Sequence, residues 1–355
     1  MNRAICTFLF SIFVIPTAVI AGNADEKLPE IVKLDPPYMG FYDKELVCHG
    51  IQIRAHKSVD DRAMQVVYKR LDRQMANLPQ VVKNLQSLGA GMHIIGKDQA
   101  TTDLPEYSHM KGIPYVDCQG IKFSSVDERS RGLGGIVSSC AEENLLALPS
   151  DRFKYHRDIC SHEFAHTMYG YGFSPNVRRL IEAQYEKSMK AGLWPSYAGT
   201  NPNEFFAELT MWYFDSRGDY GRIQPAPKEG PKWLKRHDPS AYRLVHRIYS
   251  GKISVAENEW QQLDRIAPEM EEKTHSIDNS HRVPLIFINK TDKPYRAIWL
   301  DYDGKRRDKH SSYLRPGFPQ SLDTFATHPW VILDEDDTVQ GIYVPGKKPC
   351  KIVIE

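Results

Sequence analysis

Ser161-His162-Glu163-Phe164-Ala165-His166 is the stretch on which the reading of this chain turns. Residues four apart share one face of a helix, so His162 and His166 present two imidazoles to a single metal ion. Glu163 stands beside them, placed to take a proton from a metal-bound water as general base. The competing reading is a helix with two polar surface histidines, and it is tested by looking for a third ligand.

A catalytic zinc needs three protein ligands and one open position. No histidine follows at the spacing that would extend the motif, since position 172 is glycine. The segment Tyr197-Ala198-Gly199-Thr200-Asn201-Pro202-Asn203-Glu204-Phe205-Phe206-Ala207-Glu208 supplies the ligand instead. Asn201 caps a helix that has Pro202 in its first turn. Glu204 and Glu208 then share a face, while Phe205, Leu209 and Trp212 form a core stripe. Two carboxylates one turn apart on an apolar helix are costly to bury unless they coordinate or hydrogen-bond something. Glu204 is therefore assigned to the metal. Glu208 is assigned to the free ring nitrogen of a ligand histidine. The expectation is one Zn2+ per chain, held by His162, His166 and Glu204; a solvated acidic face is the alternative.

His162-Glu163-Phe164-Ala165-His166, Tyr197 and Glu204-Phe205-Phe206-Ala207-Glu208 together resemble the catalytic core of the anthrax lethal factor-like zinc metallopeptidases, of the gluzincin type. The resemblance spans about residues 140–215 and implies a zincin-like α+β domain. It implies that the first glutamate of the second run, Glu204, is the third zinc ligand. It also implies that Tyr197, seven residues earlier, hydrogen-bonds the oxyanion of the tetrahedral intermediate. In zincin folds a strand before the active helix pairs with extended substrate, and Glu143–Leu148 is the stretch expected to fill that role.

Outward from this core, the chain has 355 residues, 41% of them apolar, with 46 Lys+Arg against 45 Asp+Glu for a net charge of +1. That length suggests about two domains. Without a basic excess, nucleic-acid binding is not expected. Arg3 followed by an apolar run from Ile5 to Ile15 reads as a signal peptide over 1–21, cleaved after Ala21 or alternatively Ala24. No later stretch is apolar enough to span a bilayer. The mature protein is expected to be secreted, periplasmic or extracellular. Cys6 leaves with the leader, and an oxidising compartment predicts one or two disulfides among Cys48, Cys118, Cys140 and Cys160.

The pattern predicts an extended lead-in over 22–44, a metallopeptidase domain over 45–250, a linker over 251–282 and an all-β module over 283–355. Within the second region, a strand over 46–56 precedes a helix capped by Ser58, with a second helix over 79–88 and a strand over 92–95. Short strands are expected at 136–138 and 144–148. Helices are expected at 155–171, 175–191, 202–215 and 240–249, with one further helix near 255–272. Short apolar runs at 285–288, 297–300, 330–333 and 341–344, separated by Asp-Gly and Pro-Gly turns, define the β module.

That module, over 283–349, is similar to the von Hippel–Lindau β-domain. The matching pieces are Leu285-Ile286-Phe287-Ile288-Asn289, Trp299-Leu300-Asp301-Tyr302-Asp303-Gly304, Leu314-Arg315-Pro316-Gly317 and His328-Pro329-Trp330. The resemblance implies a hydroxyproline pocket built from Trp299, Thr324, His328 and Trp330. The family's tyrosine has no counterpart, because Ser311 falls at its place with Tyr313 nearby. The alternative is that the tryptophans are ordinary sandwich core. Nothing here resembles the ligase-recruiting helical domain of that family, so no ubiquitin-ligase partner is expected. Lys305-Arg306-Arg307 reads as a solvated hairpin.

Three readings follow. The first is a secreted zinc metalloendopeptidase acting on protein or peptide, with proline-rich chains as a candidate substrate. The second is a non-catalytic extracellular binding protein on a zincin scaffold. The third is hydrolysis of a non-peptide amide, which the same metal chemistry permits.

Overall fold

Val32–Tyr38 forms β1, so part of the expected lead-in is already sheet. The computed structural model describes residues 28–153, 157–195, 197–214, 230–253 and 260–355. The expected leader, its cleavage positions and Cys6 lie outside the described residues. β1 pairs antiparallel with β2 (Tyr42–Cys48), which pairs with β3 (Ile51–Ala55). The single strand expected over 46–56 is thus a hairpin. His49 and Gly50 turn the chain with φ of 47° and 72°, the left-handed conformation that two-residue hairpin turns require. α1 (Asp61–Met75) is capped by Asp60, whose carboxylate accepts the Arg62 amide, and not by Ser58. The Ser58 hydroxyl is engaged 2.8 Å from His56 Nδ1. Met64, Val67, Leu71 and Met75, spaced at helical period, form the buried stripe of α1. α2 (Pro79–Ser87) leads into β4 (Gly91–Ile95), where every residue is buried.

The loop-rich stretch that follows holds a small hairpin, β5 (Tyr115–Val116) with β6 (Lys122–Phe123), and one helical turn, α3 (Val126–Arg129). β7 (Gly132–Leu133) and β8 (Val137–Ala141) complete a six-stranded sheet of order β1-β2-β3-β4-β8-β7, leaving β7 at the edge. The strand expected at Glu143–Leu148 is not one, because α4 (Glu142–Leu145) is a helical turn. Both of its glutamates are buried with separate partners. Glu142 accepts the Asp60 and Lys97 amides at 2.7 and 2.9 Å, and Glu143 pairs with Arg131 at 2.6 Å. A strand would send these neighbours to opposite faces.

α5 (Ile159–Thr167) ends in a π-helical turn at Met168–Gly172, and residues 155–156 of the expected helix lie outside the described residues. α6 (Pro175–Lys190), a 3-10 turn at Tyr197–Gly199 and α7 (Pro202–Tyr213) follow. α8 (Gly230–His237), which the pattern missed, and α9 (Pro239–Tyr249) complete the helical layer. Phe164, Phe205, Phe206 and Leu209 join the core that α5 and α7 share with the sheet. Among the described residues no helix is long and apolar enough to cross a membrane.

The region expected as linker belongs largely to the β module. β9 (Gln261–Gln262) and a 3-10 turn at Pro268–Lys273 precede β10 (Arg282–Asn289), β11 (Tyr295–Leu300) and β12 (Arg306–Leu314). β13 (Pro319–Phe325), β14 (Trp330–Leu333), β15 (Val339–Tyr343) and β16 (Cys350–Ile354) complete two four-stranded sheets, β13-β10-β16-β9 and β12-β11-β14-β15. Ile266 bridges Ile342, and Glu271 pairs with Arg306 at 2.6 Å, so residues from 260 onward are tied to the sandwich. No α-helix forms over 260–272, and 254–259 lie outside the described residues. Most of β12 is charged or polar and exposed, which is why no apolar alternation marked it. Its basic residues pair with acids, Arg306 with Glu271 and Arg307 with Asp301.

The two parts share a core. Ile286 and Ile288 are buried in the first cluster, with Phe318 and Val353 packed against it. Arg315 donates to the Glu106 carbonyl at 2.9 Å and Lys351 to the Ser87 carbonyl at 3.1 Å. The expected disulfides are absent among the described residues: Cys48, Cys118, Cys140, Cys160 and Cys350 are free thiols. Cys48, Cys140 and Cys160 are instead packed in the first core, as small apolar side chains would be.

Candidate active site and metal centre

The helix that carries the two histidines is fixed at its start. Asp158 caps α5, accepting the Ser161 amide at 3.0 Å, and is buried against Arg70 and Arg73 of α1, each at 3.0 Å. Burial pushes its pKa up, but the two guanidiniums outweigh this and hold it below the ordinary carboxylate value. Glycines then let the sheet edge close on the helix. A Cβ at Gly134 would stand 2.7 Å from the His166 Cβ, and one at Gly132 would collide with Ile159 Cγ2.

α5 and α7 bring the expected ligands together. His162 Nε2 and His166 Nε2 are 3.1 Å apart, and Glu204 Oε2 is 3.0 Å from the first and 3.4 Å from the second. Zinc–ligand bonds of about 2.0–2.1 Å give a tetrahedral edge of about 3.3 Å, so these three donors fit one tetrahedral face. Their other ring nitrogens are held as well. Glu208 Oε1 lies 3.3 Å from His162 Nδ1, and Asn203 Oδ1 lies 2.8 Å from His166 Nδ1, each placed to accept a hydrogen bond from the ring N–H. That leaves both Nε2 atoms for a metal. Asn203 was not foreseen; its place one residue before Glu204, in the first turn of α7, was the available signal.

Arg157 was also missed, and no sequence pattern marks it. Its Nη2 lies 3.1 Å from Glu208 Oε1 and 3.2 Å from His162 Nε2, and its guanidinium stands 4.8 Å over the Tyr197 ring. Burial and Arg157 both oppose protonation of His162. The Glu204, Glu208 and Glu163 carboxylates win, and they raise it to about 9. Glu204 is held far below its ordinary value: burial opposes this, but His162 and His166 outweigh it. Burial and Glu204 push the Tyr197 phenol well up, so it stays a proton donor.

His162, His166, Asn203, Glu204, Arg157 and Tyr197 line one cleft of about 370 Å³, together with Glu163, Cys118, Arg129 and Tyr171. Tyr197 Oη lies 3.4 Å from Cys118 Sγ at the tip of the β5–β6 hairpin. The edge strand β7 and Gly134-Gly135 form another wall, taking the place expected for Glu143–Leu148. A second group, Cys48, His49 and Asp72, brings three donor atoms within 4.8 Å, away from this cleft.

The sandwich has its own cavity, of about 480 Å³, lined by Trp299, Thr324, His328 and Trp330. The Trp299 and His328 rings stack 5.0 Å apart, and Trp330 Nε1 donates to Thr324 Oγ1 at 3.1 Å. Ser311 lines it too, but exposed Tyr313 faces a different cavity. The phenol in this one is Tyr302, 3.3 Å from His328 Nε2.

Comparison with known proteins bears first on the sandwich. Residues 275–348 match the family model of the VHL beta domain, so the carboxy-terminal module is of that kind. Among solved structures, the PRO-PRO endopeptidase from Paenibacillus alvei superposes with a TM-score of 0.38 at 16% identity, over 55% of this chain and 96% of that one. The sequence has no match among the curated proteins.

Proposed function

We propose that the chain is an exported zinc-dependent metalloendopeptidase with a zincin-like, lethal factor-like core, whose sandwich holds proline- or hydroxyproline-containing stretches of the substrate. The observation that carries this is the triangle of His162, His166 and Glu204 donors, with both remaining imidazole nitrogens fixed by Glu208 and Asn203. Zinc bound there would act as a Lewis acid and lower the pKa of a bound water to about 7. Glu163, in the same cleft, would serve as the general base for an attacking water and would carry the proton to the leaving amine. The Tyr197 phenol donates a hydrogen bond to the oxygen on which charge develops. The free edge of β7 aligns an extended peptide by strand addition. Removal of the leader read over 1–21, by cleavage after Ala21 or alternatively Ala24, would put the enzyme outside the cytoplasm.

The test is zinc content per chain for the wild type and Glu204→Gln, followed by a peptide-library screen with Glu163→Gln as control. One zinc per wild-type chain, a large loss in Glu204→Gln and cleavage abolished in Glu163→Gln are expected. Little zinc in either protein after reconstitution would hand the function to the sandwich, as a non-catalytic binding protein.

A further inference from the structure

We propose that Cys118 is a fourth protein donor to the metal centre, so that the resting site is closed and the β5–β6 hairpin must lift before water and substrate enter. The proposal builds on the metal-centre reading above and adds a ligand that reading does not contain. Cys118 is held at the hairpin tip by buried Asp117. Asp117 Oδ1 accepts the Gln119 and Ile121 amides at 3.0 and 2.9 Å, and its other oxygen accepts from Arg129 Nε at 3.0 Å. The tip aims the Cys118 thiol into the cleft that holds His162, Glu163, His166 and Glu204. Sγ lies 3.4 Å from Tyr197 Oη, in the same cleft as the Glu204 carboxylate. The thiol therefore sits against the phenol that would bind the oxyanion, inside the cleft that the metal ligands line. That is where water or the scissile carbonyl has to sit.

Cys118 is the exposed one among the described cysteines; the other four are buried. Thiolate is a preferred zinc ligand, and two histidines, a glutamate and a cysteine make a four-donor site of the closed kind. On coordination the thiol proton passes to solvent and water leaves the fourth position. Opening reverses both transfers, with no change of oxidation state. Beyond the Arg129 anchor, the side-chain hydrogen bonds from the tip to α7's approach among the described residues are Cys118 Sγ to Tyr197 Oη at 3.4 Å and Gln119 Nε2 to Thr200 Oγ1 at 3.5 Å, so lifting it breaks little.

Cobalt substitution of the full mature chain tests this without recourse to activity. Wild type loaded with Co2+ should show visible d–d bands and a near-ultraviolet thiolate-to-metal charge-transfer band. Cys118→Ser should keep the d–d bands and lose the charge-transfer band. In parallel, zinc should protect one rapidly labelled thiol of the metal-free protein, and that thiol should be missing in Cys118→Ser. Visible bands without charge transfer in the wild type would overturn the proposal and leave the metal centre standing. A charge-transfer band that survives in Cys118→Ser would also overturn it. Failure to bind cobalt at all would remove the metal centre itself.

Discussion

Tyr171 Oη lies 2.9 Å from Ser321 Oγ, joining a wall of the metal cleft to the strand that carries Thr324 of the sandwich cavity. Trp260 Nε1 supports the same residue by donating to the Tyr171 carbonyl at 3.1 Å. Ser321 and Thr324 are three positions apart on β13, roughly 10 Å at ordinary strand rise. An odd spacing points the two side chains to opposite faces of β13, so one strand meets the cleft wall on one side and lines the sandwich cavity on the other.

Tyr171→Phe removes that hydrogen bond and little else. If the sandwich feeds the cleft, kcat/KM should fall by about 1 kcal/mol, roughly fivefold, on peptides long enough to span both sites. Short peptides that fill only the cleft should be cleaved as by the wild type. Equal effects on both lengths would dissociate the sandwich from substrate handling.

Glu208→Gln and Asn203→Ala each disturb a group that orients a ligand imidazole. Metal affinity should drop by about 10- to 100-fold in either variant, as read by chelator competition. Glu208→Gln should be the more disruptive, because the carboxylate also faces Arg157 at 3.1 Å. Unchanged affinity in both variants would assign these residues to packing alone.

Metal uptake should depend on pH through His162. Its pKa in the metal-free fold is raised to about 9, above the ordinary 6.5, and a ligand imidazole must be neutral. Affinity should therefore climb with pH between 6.5 and 9 and release a proton on binding. By linkage, the raised value stabilises the metal-free fold below pH 6.5, and that contribution is lost as pH rises through 9. Titration calorimetry in buffers of different ionisation enthalpy reads the proton directly. A flat profile over that window would contradict the assignment.

Gly134→Ala places a methyl 2.7 Å from the His166 Cβ, and either strand or helix has to move. Overpacking of this kind costs about 1–3 kcal/mol, measurable by urea unfolding, and it should weaken metal binding as well. Gly170→Ala is the control, because a Cβ there meets nothing within 4 Å. Similar losses in both variants would mean that the close approach of sheet edge and helix is unimportant.

What was legible in the sequence was local. The spacing of His162 and His166 and the Asn201-Pro202 start of α7 are statements about neighbours one helical turn apart, and the described structure keeps them. Glu208 facing His162 was inferred from the cost of burying a carboxylate, which is again a local argument. Expectations failed where partners are distant in sequence. Glu143 looked like part of a strand because nothing nearby reveals that Arg131 and the Lys97 loop draw its neighbourhood into a helical turn. β12 and β13 carry too little apolar alternation to be seen, since backbone pairing with their sheet neighbours β11 and β10 fixes them more than their own side chains do.

By itself the sequence determined which residues had the chemistry of a metal site and which helices would present them, because helical periodicity follows from backbone geometry alone. Only the tertiary structure decided that α5 and α7 face each other at ligand distance, that Arg157 and Cys118 enter the same cleft, and that β7 rather than residues 143–148 forms its edge. It also decided that Tyr302, not Tyr313, completes the sandwich cavity. These are meetings of segments tens of residues apart. They are set by burial of the shared core and by pairing of buried charge, neither of which any single stretch of the chain contains.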